Sequence, residues 1–173
     1  MTTTTQTQSH PRSTAGAPAD VRQLVGFSFY RVAPEWRRLP RATRTKQGGE
    51  LLAVIHAHAK RQLVLTYSLV GLKADVDFMV WRVGAQVEDV QAIAAAIGQT
   101  AIGGDLTTPY AYLSMTKRST YVDKLDPEHE DTRRFITPAH RKYLFVYPFV
   151  KTTEWYQLPF PERQALMDEH IVL

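Results

Sequence analysis

The sequence contains no cysteine. That excludes a disulfide framework, a thiolate nucleophile, an iron–sulfur cluster and any zinc site built on thiolates. Long hydrophobic runs are also missing: nothing approaches the ~20 apolar residues a membrane helix needs, and the N-terminus lacks the apolar core of a secretory signal. The cytoplasm is the expected compartment. Excess charge is small, with 21 Lys and Arg against 17 Asp and Glu, a net +4. The densest basic group (Arg37, Arg38, Arg41, Arg44, Lys46) has no interleaved aromatic platform, so nucleic acid is not an expected partner. Residues 1–20 are mostly Thr, Gln, Ser, Pro and Ala and hold hardly any large apolar side chain. They are expected to form a disordered tail, because they cannot bury enough surface to offset the entropy of ordering.

The rest is ordinary globular sequence, and the whole chain is 44% apolar and 22% charged. Leu24–Val32 is β-branched and aromatic, which predicts a strand. Pro34–His58 reads as helix, interrupted at Pro40. Leu63–Val70 and Val76–Val83 read as two antiparallel strands about a turn at Gly71–Asp75. Val87–Ile97 carries apolar residues at helical spacing with Gly98 as a stop, and Ala111–Thr116 predicts a last strand. The order βαββαβ is that of a ferredoxin-like unit, an α+β fold, over residues 21–118. A charged connector fills 119–141, followed by a predicted strand at Lys142–Val150 and a predicted helix at Pro161–His170.

These last elements repeat the first. Glu35-Trp36-Arg37-Arg38-Leu39-Pro40 recurs 119 positions later as Glu154-Trp155-Tyr156-Gln157-Leu158-Pro159, and the Arg eight residues past each Trp recurs as Arg44 and Arg163. Residues 142–173 therefore read as the start of a second ferredoxin-like unit, an incomplete copy with one strand and one helix. Such a piece leaves an open edge and half a core. Either the sequence is a fragment of a longer chain, or another subunit completes it.

Tyr147 and Lys151 stand four apart at the end of the second-copy strand, followed by Trp155-Tyr156 and by His170 on the helix. A phenol, an ammonium, aromatic rings and one imidazole suit a flat, aromatic, anionic ligand better than a hydrolytic site. Histidine ligates haem iron, Lys and Arg pair with propionates, and Tyr passes an electron or a proton. The other histidines (His10, His56, His58, His129, His140) lack ligand spacing, and Glu128 and Asp131 have no acid–base partner.

Tyr147-Pro-Phe-Val-Lys151, Glu154-Trp155-Tyr156-x-Leu158-Pro159, Glu162-Arg163 and Met167-Asp-Glu-His170 together resemble the signature of the chlorite dismutase-like family, which includes the coproheme decarboxylases. Tyr112-Leu-Ser-Met-Thr116, with Ser119 and Tyr121, resembles the close of that family's first unit, so the resemblance spans residues 24–173. It implies tandem ferredoxin-like repeats of the dimeric α/β barrel type, assembled as a homo-oligomer (a pentamer in the family), with haem in the second unit. By the same resemblance His170 is the proximal ligand of the haem iron and Tyr147 the radical centre for propionate decarboxylation. Lys151 faces a propionate, Arg133 binds one, and Trp155 lines the haem pocket. Tyr156, where chlorite dismutases tend to carry a second Trp, leans toward the decarboxylases. The family's distal haem residue falls past the proximal His, outside these 173 residues. The expected activity is peroxide-dependent oxidative decarboxylation of iron coproporphyrin III to haem b. Chlorite dismutation at a histidine-ligated haem, and a non-catalytic haem-binding or assembly role, are the alternatives.

Overall fold

A computed structural model describes residues 22–117, 121, 135–138 and 142–172. The expected tail over 1–20, most of the connector, Arg133, Ser119, His129 and His140 lie outside the described residues.

The first unit is built as the pattern predicts. Strand β1 (Leu24–Val32) is followed by a short helix α1 (Pro34–Arg38) and a long helix α2 (Arg41–Ala59), separated at Leu39-Pro40. Proline lacks an N–H and cannot continue a helix, so the break falls where Pro40 stands. Strands β2 (Leu63–Ser68) and β3 (Phe78–Gly84), helix α3 (Val87–Gly98) and strand β4 (Leu106–Met115) complete the unit. The sheet order is β2-β3-β1-β4 with every neighbouring pair antiparallel, the arrangement of a ferredoxin-like βαββαβ unit. Gly71, at φ +78°, closes the β2–β3 connection in a conformation that side-chain-bearing residues avoid.

Strands β2 and β3 each stop two residues short of the predicted turn, and two larger differences stand beside these. Strand β4 begins at Leu106 rather than Ala111 and runs through Pro109. It is tolerated there because β4 is an edge strand and the β1–β4 register shifts between Phe29 and Arg31, opposite that proline. The second-copy segment 143–150 is not a strand: no ladder pairs it among the described residues, so its backbone lacks the neighbour that defines one. Its side chains still alternate, with Leu144 and Val146 half-buried between exposed Tyr143, Phe145 and Tyr147. The helix predicted at Pro161–His170 is α5 (Phe160–Val172), and a short helix α4 (Thr153–Gln157) that was not predicted precedes it, the two broken at Leu158-Pro159 as α1 and α2 are broken at Leu39-Pro40.

Both faces of the sheet are buried along the central strands β1 and β3, while the edge strand β4 is largely exposed. On one, α2 and α3 bring Leu51, Ile55, Ile93 and Ile97 onto Tyr30, Val64 and Val80. The other carries Val25, Phe29, Met79, Trp81 and Val83, and Ile136, Leu144 and Val146 from the later chain pack against it. Phe27 and Trp81 stack there with ring centroids 6.1 Å apart.

One charged side chain is enclosed on the helical side. Arg82, only 4% exposed, donates from Nη1 to the Val90 carbonyl at 2.8 Å and from Nη2 to Ser28 Oγ at 2.5 Å. Glycine at position 26 makes the room, since a Cβ there would lie 2.8 Å from Val90 Cγ1 and 3.1 Å from Arg82 Nη2. Gly26→Ala is expected to lower stability by about 1–3 kcal/mol, the cost of overpacking a filled interior. Denaturant unfolding checks this: an unchanged midpoint would mean that Val90 and Arg82 yield without cost.

Candidate functional site

The site is assembled around α4. Thr152 caps this helix, its Oγ1 accepting from the Trp155 backbone N–H at 3.3 Å, and the cap fixes where the Trp155 indole leaves the chain. Lys151, one residue before the cap, folds back so that Nζ lies 3.6 Å from the centre of the Trp155 ring and 5.3 Å from that of Tyr121. It also donates to Met167 Sδ at 3.6 Å. From α5, Arg163 brings its guanidinium carbon to 5.5 Å from the same indole and 5.9 Å from the Phe160 ring. Desolvation, followed by repulsion from Arg163, holds the Lys151 ammonium below the ordinary lysine pKa.

Tyr121 stands at the centre of these rings. It stacks on Phe160 at 5.6 Å and meets Trp155 edge-on at 5.9 Å. Gln164, 4% exposed, holds it in place: Nε2 donates to the Tyr121 carbonyl at 3.1 Å and to Asp168 Oδ1 at 2.6 Å. Tyr121 is thereby tied to α5. Sequence reasoning gave no role to Phe160, Gln164 or Arg163; the repeat singled out Arg163, and only its neighbours in space show what it does.

The five site residues named from sequence fare differently. Lys151 and Trp155 are brought into contact. Tyr147 lies in the unpaired segment and is 74% exposed. His170 is on α5, three residues past Met167, with its side chain outside the described residues. Arg133 is outside them altogether.

The repeat adds a register. In β1, Val25, Phe27 and Phe29 face the inter-unit core, whereas Ser28 and Tyr30 face the helices. Leu144 and Val146, 119 positions past Val25 and Phe27, meet that same core. Tyr147 then stands in the register of Ser28, and His170 in that of Leu51, a residue of the helix–sheet core. The two residues named from sequence for chemistry in the second copy thus correspond to a small and an apolar residue in the first. Among the described residues no cluster of three His, Asp or Glu could hold a bare ion. A lone histidine suits a metal already held by a macrocycle.

A model of the chlorite dismutase family matches residues 42–173, more than half of the sequence. The chain belongs to that family. Its curated relatives include coproheme decarboxylase from Mycolicibacterium smegmatis, 30% identical over 106 residues, which covers 60% of this chain and 43% of the relative. Coproheme decarboxylase from Staphylococcus carnosus is 29% identical over 114 residues, covering 60% of this chain and 45% of the relative. The chain thus matches less than half the length of these relatives. Among solved structures, a variant of chlorite dismutase from Candidatus Nitrospira defluvii superposes with a TM-score of 0.70 at 23% identity, covering 86% of this chain and 63% of that one. A haem-binding protein from Thermus thermophilus gives 0.66 at 18% identity, covering 86% and 64%. The two solved structures share the fold described above; the two curated relatives are named coproheme decarboxylases and the Thermus protein a haem-binding protein.

Proposed function

We propose that the chain serves the oxidative decarboxylation of iron coproporphyrin III to haem b, with hydrogen peroxide as oxidant. The observation that carries this reading is the paired cations Lys151 and Arg163 beside the Trp155 indole, in a chain whose curated relatives are coproheme decarboxylases. Aromatic surface next to cations without a carboxylate partner among the described residues fits a flat macrocycle that carries propionates. Peroxide reduction is the chemistry the iron porphyrin supplies when bound.

The remaining work falls to the protein. Each propionate loses carbon dioxide, one proton and two electrons to become a vinyl group, and those electrons reduce one peroxide to two waters. His170 is the residue to ligate the iron. Lys151 and Arg133 would fix the propionates, and a held carboxylate keeps the reacting carbon in reach of one side chain. Tyr147, exposed on the side of its segment that matches Ser28, is the phenol to act on the propionate chain. Once it has given up an electron and a proton to the peroxide-derived oxidant, it takes a hydrogen atom from that chain as the phenoxyl radical and so returns to the phenol. Trp155 would wall the ring. We further infer that the protein works as a homo-oligomer in the cytoplasm.

Incubating the protein with iron coproporphyrin III and peroxide, and following pigments by chromatography, is the test. Stepwise loss of two propionates is the expected result. Chlorite conversion to chloride and dioxygen without any decarboxylation would replace this reading with dismutation, and porphyrin binding with neither reaction would leave a carrier.

A further inference from the structure

The two copies of the repeat place the same pair of side chains in the same relation and finish them differently. In the first copy the Arg44 guanidinium carbon lies 6.0 Å from the Trp36 ring centre, and in the second Arg163 lies 5.5 Å from that of Trp155. Arg44 is closed off: its Nε donates to the Leu39 carbonyl at 3.1 Å, where the chain breaks between α1 and α2. Arg163 makes no such bond. Its Nε is buried and has no hydrogen-bond partner among the described residues, although Leu158 holds the position of Leu39. The two indoles differ in the same sense. Trp36 Nε1 donates to Gln47 at 2.6 Å, but the residue 119 positions beyond Gln47 is Leu166, which cannot accept. The second copy also gains a cation, since Lys151 stands where the first has Val32.

A buried donor without an acceptor forfeits its hydration with nothing in return, so a protein that keeps one has a use for it or a partner to supply. Arg163 and Lys151 reach the same ring, and each lowers the cost of bringing in an anion and raises the cost of leaving the other unpaired. No carboxylate of the described chain lies within ion-pair distance of either.

We propose that Arg163 is a second anion-binding residue of the site, which with Lys151 holds one carboxylate group of the ligand beside the Trp155 ring. This rests on the porphyrin reading above and gives Arg163, a residue of the quoted motif, a role that neither the motif nor the relatives' names supply. Arginine offers a planar fork of donors that matches a carboxylate, which a lysine at the same place does not.

The experiment is a Soret titration of Arg163→Gln and Arg163→Lys with iron coproporphyrin III and, in parallel, with its tetramethyl ester, which keeps the ring and the iron but has no carboxylates. Arg163→Gln is expected to weaken binding of the acid by roughly tenfold or more, the size of one charge-assisted hydrogen bond, and to leave ester binding unchanged. Arg163→Lys is expected to fall between Arg163→Gln and the parent. Equal weakening for acid and ester would overturn the proposal and make Arg163 a packing residue, as would unchanged acid binding in Arg163→Gln. If the parent itself binds neither compound, the porphyrin reading fails first and this assignment falls with it; if the parent binds both equally, only the carboxylate seat is lost.

Discussion

Replacing Tyr147 with Phe is expected to leave iron coproporphyrin III binding nearly intact and to lower haem b formation with peroxide by roughly a thousandfold or more, within the range for losing a group that transfers hydrogen in the transition state. The change keeps the ring and removes only the O–H. Tyr147 is 74% exposed and packs in no core cluster, so the loss could not be ascribed to unfolding. Circular dichroism and the Soret titration should match the parent, whereas chromatography should show the four-propionate pigment unchanged. Substantial vinyl product from the Phe variant would remove Tyr147 from the chemistry and with it the radical route.

The second large effect is expected at His170. His170→Ala should weaken iron coproporphyrin III binding by at least about 100-fold, since even changes to the groups supporting a metal ligand cost that much. The ferric spectrum should lose its histidine signature, and added imidazole should restore it in part. Metal-free coproporphyrin should bind parent and variant alike, because the imidazole contributes only through iron. An unchanged Soret band in His170→Ala would assign the ligand elsewhere.

Much of this was legible in the sequence where local chemistry decides structure. The β-branched run Leu24–Val32 forms a strand over those same residues, and Pro40 splits its helix where proline forbids continuation. The strand order followed from the βαββαβ pattern. What escaped was decided by partners distant in sequence. Lys142–Val150 has the alternation of a strand, but a strand is a pairing, and composition cannot say whether a neighbour is there. Pro109 hid the first half of β4, because its tolerance depends on an edge and a register shift that only the assembled sheet reveals. At the site, Lys151 and Trp155 were named through the family motif, but not the contact between them, which depends on Lys151 folding back over the indole. Tyr121 was not given its role, since it reaches Trp155 across the charged connector. Arg163 was visible as a repeated letter, while the bond that Arg44 makes and Arg163 lacks is a fact of space.

The inter-unit core sets a timetable for the nascent chain. Its aromatic floor, with Phe27, Phe29, Met79 and Trp81, is complete once Met115 has been synthesised, but Ile136, Leu144 and Val146, which cover it, come later. At translation rates of about 5–20 residues per second this interval lasts on the order of seconds, while helices and hairpins form in microseconds. The first unit therefore has time to fold while still tethered, with an oily sheet turned to the solvent and to whatever chaperones attend the ribosome. The second copy arrives on a finished template, and slow codons across residues 116–135 would prolong the exposure rather than help the fold.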